Sequence, residues 1–564
     1  MNKENYAGQD LREQNLKLLN LKGADLTRTN LEGVDLENCD LSGANLSGAN
    51  LSGANLSGAN LSNAILDRVN LNDANLQKAI LRKAEINNST LRKANLSNAD
   101  LTEAKLWGSD LRNSILNHAE LGETFLRTAN LRGAKLEYAN LNNAEINSAY
   151  LTEASLKNAN LHNAKLVRVQ LRAADLSNAN LTSADLGGAN LNRAKLINTI
   201  LNNAILAKTI LTGTNFSHAQ LMRADLRRAN LAFADFNHAN LEEANLSSTN
   251  LTGVNLTEAN LVYAELNGAT ITTAKLNGAI LNNASILRVN LRDADLSNCQ
   301  LKNVKLNRAY MSGTVLKKAS LKDSDISGAN LLGANLEGCD LTHAQLIRAY
   351  LSHANLDFAD LTQTDFSGAD LTRISLNTKH ATGTQFTQNI GMTQEMESQL
   401  RENGALFLKA RTTIQEFSTE KQKEKDYNFI IRRVNEIRAD LVYRHLDLEE
   451  AWRIFEDSIK TFKSSRNDNL EHNNINDNQN KIIDNWLSVI ERDSRKSYDA
   501  IEKNKDYIEN IVDNFGNEEV LEWVEKNLLD ELASIHEAII DLYRYTGLIY
   551  TLWKSLAEEK SLSA

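Results

Sequence analysis

Large apolar residues recur at every fifth position along most of this chain. From Leu11 to Leu376 the five-residue register runs through 74 units without insertion or deletion. The central position of the unit is Leu in 65 of them and Ile, Phe or Met in the other nine. The residue two before the centre is small, and the other three positions are mostly polar. Each unit therefore offers one large and one small side chain for burial and exposes three.

A period of five fits neither regular element. On an α-helix the apolar residues would spiral around the surface, and on a long strand they would alternate between faces. A chain that turns a corner every five residues does fit, because four corners make a square coil of about 20 residues whose coils stack at ~4.8 Å. The chain contains no proline, which suits a fold that needs nearly every backbone N–H as a donor.

The units resemble the pentapeptide-repeat family, whose consensus is A(D/N)Lxx. The stretch Ala44-Asn45-Leu46-Ser47-Gly48 reproduces that consensus, and the resemblance covers about residues 7–390. It implies a β-solenoid, a right-handed quadrilateral β-helix of about 18 coils. Gly and Asn recur at the last position of the unit, where a type II corner requires a residue that tolerates positive φ.

All three cysteines, Cys39, Cys299 and Cys339, occupy the small interior position. Because free cysteine behaves as a small hydrophobic residue, we expect each to replace alanine inside the tube rather than to serve redox or metal chemistry. No apolar run follows the N-terminus, and no stretch of ~18 apolar residues occurs. These features together predict a cytoplasmic protein.

The pattern divides the chain into three parts. Residues 1–390 form the predicted solenoid with its starting segment, and residues 391–415 a capping helix and linker that begins at the N-cap Thr393 and stops at Gly404. Residues 416–564 show helical spacing and predict an all-α domain, either an antiparallel four-helix bundle or one whose last helix, about 518–557, pairs with a partner or a second copy. The net charge is +1 for residues 1–390 and −11 for residues 391–564.

Exposed residues in the same position of successive coils should stack into columns along the rod. One column carries four arginines and is interrupted by Thr152, and a sparser column carries further cations. Ordinary solvated surface is the alternative interpretation of both columns. The candidate partner-binding residues are Arg92, Arg112, Arg132, Arg172, Tyr310 and Tyr350, and the sparser column holds Arg168, Lys208, Arg228, Arg288, Arg308 and Arg348.

Motifs for catalysis are missing from the sequence. There is no Walker A loop, no GxSxG and no CxxC, and His536-Glu537 lacks the second histidine of a zinc motif because position 540 is Ile. His218 and His238 should stack on adjacent coils without a third ligand. The sequence therefore predicts a protein that is not an enzyme and has no cofactor or metal site.

The sequence favours a scaffold or interaction protein with a protein partner, and with a homo-oligomer through the C-terminal helix as a further possibility. A sensor–effector protein in stress or phage defence is an alternative. The family resemblance supplies a third hypothesis, since some pentapeptide-repeat proteins act on DNA gyrase through an acidic rod that mimics duplex DNA. The balanced charge of residues 1–390 disfavours that mimicry, and nothing in the sequence favours nucleic acid or a membrane as partner.

Overall fold

Parallel pairing between successive coils dominates the structure. The computed structural model describes residues 4–408, so the helical domain predicted for 416–564 lies outside the described residues. A boundary between two units of the chain falls after Ala410. Isolated parallel bridges join nearly every repeat to the fourth repeat after it, from Asn5 with Asp25 to Asp370 with Ile390. The predicted coil of four repeats is confirmed, and the described chain forms a β-solenoid.

Every backbone N–H of the consensus unit has a partner, as the five residues from Asn45 to Ala49 show. The N–H groups of Asn45, Leu46 and Gly48 donate to carbonyl oxygens of neighbouring coils at 2.7–2.9 Å. The N–H of Ala49 donates to the Leu46 carbonyl at 2.9 Å and closes the corner. The fifth N–H, of Ser47, donates to Oδ1 of Asn45 at 3.1 Å. Proline at any of the five positions would remove one of these bonds.

At nine positions where the usual Asn or Asp is replaced, the fifth N–H has a second acceptor. Lys105 stands at one of these positions, and the N–H of Trp107 instead donates at 3.1 Å to Oδ1 of Asn87, one coil earlier. An Asn or Asp after the centre of one coil thus substitutes for the missing residue in the next. The same substitution joins Asp67 to Asn87, Asn72 to Arg92, Asn117 to Glu137, Asn147 to Val167, Asn202 to Met222, Asn267 to Leu287, Asn282 to Lys302 and Asp357 to Asn377.

The corners place their last residue in the left-handed region. Gly48 has φ 69°, as expected, but Arg28 has φ 54° and Phe233 has φ 59°. A side chain in this region costs roughly 1–2 kcal/mol. The solenoid accepts that cost because the N–H of each corner residue is tied to the following coil, as in the 2.9 Å bond from Arg28 to the Ser47 carbonyl. The corners therefore display large charged and aromatic side chains outward.

Leucine and small residues fill the tube in layers. The central leucines are buried from Leu11 to Leu371, and the larger substitutes stack, with the rings of Phe216 and Phe236 4.5 Å apart. Serine or threonine at the small position donates its hydroxyl to a leucine carbonyl, as Ser324 does to Leu301 at 2.6 Å. The interior is therefore closed, and only the outer positions are available for recognition.

The N-terminal coil is less regular than the rest. A 3-10 helix, Leu16–Leu18, interrupts it, and Leu18 and Leu19 are 81% and 37% exposed. Cys299 and Cys339 are buried as predicted, but Cys39 is only half buried. The reason is its neighbour one coil earlier, Leu19, which turns partly outward and leaves that side of the thiol uncovered.

A short helix caps the other end, as the sequence predicted. Strand β1, Gln385–Phe386, pairs in parallel with β2, Leu406–Phe407, and helix α1, Gln394–Glu402, lies between them in sequence. Oγ1 of Thr393 accepts a hydrogen bond from the Met396 N–H at 3.2 Å and forms the N-cap. The guanidinium of Arg401 lies 4.3 Å from the Phe407 ring centroid. Among the described residues, no helix has the length and apolar character to cross a membrane.

Candidate interaction surface

The predicted candidate residues lie on a single face of the solenoid, which we call the arginine face. It consists of the units centred on every fourth repeat from Leu31 to Leu371. Arg92, Arg112, Arg132 and Arg172 each follow a centre of this face, and Tyr310 and Tyr350 each precede one. The structure therefore brings both predicted sets to one face, although about seven coils, or ~33 Å, separate Arg172 from Tyr310.

Asp110 holds together the first two arginines of the column, Arg92 and Arg112. Its Oδ2 lies 2.7 Å from Nε of Arg92 and 2.7 Å from Nη2 of Arg112. Nε of Arg112 also donates to Oδ1 at 2.9 Å, so that pair is bidentate. Two guanidinium groups share one carboxylate, and the cluster keeps a net charge of +1.

The ionisation of Asp110 reflects this environment. Its partial burial raises the pKa, but the hydrogen bonds from Arg112 and Arg92 outweigh that effect and lower the pKa to about 2. Asp110 therefore stays ionised at any physiological pH, and the two arginines keep their common anchor. The structure gives the exposed cations a defined position rather than a freely moving one.

The other two arginines of the column, Arg132 and Arg172, are held less firmly. Nη2 of Arg132 lies 3.6 Å from Oε2 of Glu153, and both side chains are about 60% exposed, so this ion pair is weak. The side chain of Arg172 forms no ion pair with any described residue. Tyr150, 52% exposed, stands to Arg132 in the same position as Asp110 to Arg92, and so places an aromatic ring beside the column.

Tyr310 and Tyr350 are half buried and lie two coils apart in the column of Tyr150. Tyr310 is bridged to Asn330, which is bridged in turn to Tyr350, so one coil separates the two tyrosines. Each of the two residues already has an interaction partner within the protein. They add aromatic surface to the C-terminal part of the arginine face but do not extend the arginine cluster.

The second predicted column lies at a corner of the solenoid. Its residues have positive φ, as in Arg168 with 56° and Arg308 with 55°, and all six side chains are exposed. None of the six forms an ion pair within residues 4–408. This column is therefore less neutralised than the arginine face, which the sequence did not indicate.

The histidine pair, Cys299 and Cys339 supply no reactive centre. The rings of His218 and His238 stack in parallel at 5.0 Å, and Nδ1 of His238 lies 3.2 Å from Oε2 of Glu258. No cluster of His, Cys, Asp or Glu suited to a metal ion occurs in the described part of the chain. Burial raises the pKa of the Cys299 and Cys339 thiols to about 12, which leaves them protonated and unreactive.

Sequence reasoning missed that Asp110 anchors the arginine column. The signal was present in the spacing. Arg112 lies one full coil after Arg92, and Asp110 lies two residues before Arg112. An acid in this position lies beside the cation of its own coil and the cation of the coil before. The same relation between an acid and the cation of the preceding coil joins Arg82 to Asp100 and Lys157 to Asp175.

Stacked corners, a closed apolar interior and side-chain columns define a β-solenoid repeat protein. The family model of the pentapeptide repeats matches overlapping segments that together span residues 10–373 without a gap. The chain belongs to the pentapeptide-repeat family, which implies a right-handed β-helix. Proteins of this family are generally structural or interaction proteins rather than enzymes.

The solved structures that are similar to this chain include pentapeptide-repeat proteins. HetL of Nostoc sp. strain PCC 7120, involved in heterocyst differentiation regulation, is 29% identical over 42% of this chain and 88% of its own, with a TM-score of 0.20. A thylakoid-lumen protein of Arabidopsis thaliana is 28% identical over 22% and 83%, with a TM-score of 0.19. QnrB1, a plasmid-mediated fluoroquinolone resistance protein, is 16% identical over 37% and 97%, with a TM-score of 0.15. No curated protein matched the chain.

Proposed function

We propose that this protein is a non-enzymatic scaffold whose arginine face binds a protein partner through carboxylate groups. The observation that carries the proposal is the cluster of Arg92, Asp110 and Arg112. Arginine forms bidentate hydrogen bonds with carboxylates, and the unshared donors of this cluster point from a rigid backbone. Arg172 offers a further guanidinium two coils beyond Arg132.

The rigidity of the solenoid supports this function. A partner that binds a preformed column avoids the entropic cost of ordering loops at the interface. The pKa shifts of Asp110, Asp225 and Cys299 are explained by ion pairs, turn hydrogen bonds or interior burial. None of these shifts identifies an acid, base or nucleophile poised for catalysis.

The experiment is affinity capture from the native host with the full-length protein. Replacing Arg92, Arg112 and Arg132 with Glu should abolish capture of a partner that uses this face, because its carboxylates would then meet like charges. The matched control replaces Lys78, Arg127 and Lys135 with Glu. It makes the same change in net charge within the same region but on other columns, and it should leave capture intact. Equal capture by both variants would refute the proposal.

A further inference from the structure

Another face of the solenoid carries opposite charges along its two edges, and we call it the bipolar face. It consists of the units centred on every fourth repeat from Leu166 to Phe366. Where the residue before a centre is charged, it is usually a carboxylate. Cations occupy the corners after the centres. The acidic edge holds Asp185, Asp225, Glu265, Asp325 and Asp365 with two cations, Lys165 and Lys305; the basic edge holds Arg168, Lys208, Arg228, Arg288, Arg308 and Arg348 and no carboxylate.

The strip between the two edges is almost uncharged. Its single charged residue is Arg227, whose Nη2 lies 2.7 Å from Oδ2 of Asp225. The other residues are small, amide or aliphatic, so a flat surface could approach closely along the whole strip. In order they are Val167, Gly187, Ala207, Ser247, Asn267, Leu287, Asn307, Ser327, Ile347 and Ser367.

The cations of the basic edge lean along the rod toward the following coil. A methyl group placed on Gly188 would lie 3.7 Å from Cγ of Arg168, so the arginine stem passes over that glycine. The guanidinium therefore reaches the height of the coil that carries Asp185 on the opposite edge. The arrangement recurs with Arg308, Gly328 and Asp325 at 3.6 Å and with Arg348, Gly368 and Asp365 at 3.2 Å.

This match in height is not used within one molecule. The acid and the cation stand on opposite edges of a face about three residues, or ~10 Å, wide. Within the described residues, Arg168, Arg308 and Arg348 form no ion pair with Asp185, Asp325 or Asp365. Instead, Oδ1 of each aspartate accepts a backbone N–H from the next turn, as Asp325 does from Ser327 at 3.0 Å. The second carboxylate oxygens of Asp185 and Asp365 remain available for a cation from outside.

We propose that the bipolar face is a self-association surface that holds two copies of this chain side by side and parallel. A two-fold axis along the rod sets each acidic edge against the partner's basic edge at the same height. An antiparallel pair would instead set like edges together. In the parallel pair four contacts recur twice by symmetry. They join Arg168 to Asp185, Lys208 to Asp225, Arg308 to Asp325, and Arg348 to Asp365.

The size of the face suits a reversible dimer. Ten coils at ~4.8 Å and a width of ~10 Å give roughly 500 Å² of projected area per copy. The total of roughly 1,000 Å² is at the lower limit for a specific interface. The edge charges set orientation and register more than affinity. Two contacts are unfavourable, because Lys305 meets the height of Arg288 and Arg227, in the central strip, meets its own copy across the axis. Lys165, at the end of the face, is neutralised by Glu145 at 2.7 Å, and Glu265 faces the neutral Ser248.

Charge reversal of the two edges separately tests the proposal in the full-length protein. One variant replaces Asp185, Asp325 and Asp365 with Lys, and the other replaces Arg168, Arg308 and Arg348 with Glu. By sedimentation velocity, each variant should self-associate at least tenfold more weakly than wild type, and an equimolar mixture should restore the dimer. A third variant with Asn at the three aspartates keeps the turn hydrogen bonds and should also weaken association. Unchanged association in the variants, or no restoration on mixing, would overturn the proposal.

Disulfide cross-linking tests the same face directly, even if other surfaces of the protein also associate. Ser327→Cys, in a Cys39→Ala background, lies near the proposed axis and should form a disulfide-linked dimer on mild oxidation. The matched control is Ser297→Cys, whose N–H likewise donates to an aspartate, Asp295, at 3.0 Å but which lies on another face. Equal rates at the two positions would contradict the parallel dimer. So would a monomeric wild type that binds poly-L-glutamate through the basic edge, which would assign this face to an acidic partner.

Discussion

The substitute cap on the Trp107 N–H gives a sharp test of how the coils are held together. Asn87→Ala removes the acceptor one coil earlier, and Lys105 offers none within the same unit. A hydrogen bond of this kind contributes about 1 kcal/mol net. The change also removes the 3.1 Å hydrogen bond from Nδ2 of Asn87 to Oδ1 of Asp67, but the N–H of Asn87 keeps its own 3.1 Å bond to that oxygen. We expect local opening at Trp107 to become about fivefold more frequent.

Hydrogen exchange of the Trp107 amide measures that opening. Lys105→Asn in the Asn87→Ala background supplies the usual acceptor and should restore slow exchange. It also removes the 2.8 Å ion pair between Lys105 and Glu85, but both side chains are 40% exposed, so this loss is small. Asn142→Ala is the matched control, because the following coil caps its own His162 N–H with Asn160 at 3.2 Å. If Asn142→Ala accelerated exchange at His162 as much as Asn87→Ala does at Trp107, the substitute cap would be refuted.

Three further predictions follow from individual residues. Native protein should react with a thiol reagent at Cys39 before Cys299 or Cys339, because the latter two are buried; equal rates would contradict the closed interior. The Asp110 carboxylate should titrate near pH 2 by NMR rather than at its ordinary 3.8. Since its pKa is lowered in the folded state, its stabilising contribution is present above pH 3.8 and is lost as the pH falls through about 2. Thr393→Ala should cost the capping helix about 1 kcal/mol and speed proteolysis near residue 400, whereas unchanged proteolysis would mean that the N-cap is unimportant.

The sequence predicted the solenoid because one physical requirement repeats in every unit. A large residue at the centre, a small one two before it and an Asn or Asp between them are sufficient to define the interior, the corner and the fifth N–H. The exceptions depend on neighbours in the adjacent coil. Cys39 is half exposed because Leu19 turns outward, which no pattern within a single unit contains. The substitute caps likewise require two coils to be considered together.

The candidate surface was predicted less completely than the fold. Columns of like residues follow directly from the four-repeat coil, and the structure places Arg92, Arg112, Arg132 and Arg172 in one column. Which cations are neutralised depends on the pairing of residues in adjacent columns and adjacent coils. These pairings anchor Arg92 and Arg112 on Asp110 and leave Arg168 without an ion pair in the described chain. The direction in which a side chain extends along the rod, as for Arg308 over Gly328, could be seen only in the structure.

The central claim is that recognition lies in exposed columns rather than in a cavity or the interior. The direct measurement is an alanine scan of the exposed positions from residue 85 to residue 180, read by capture of the host partner with the full-length protein. The account predicts that losses recur once per coil and concentrate at Arg92, Arg112, Arg132 and Arg172. Losses scattered without that period, or confined to a single coil, would contradict it.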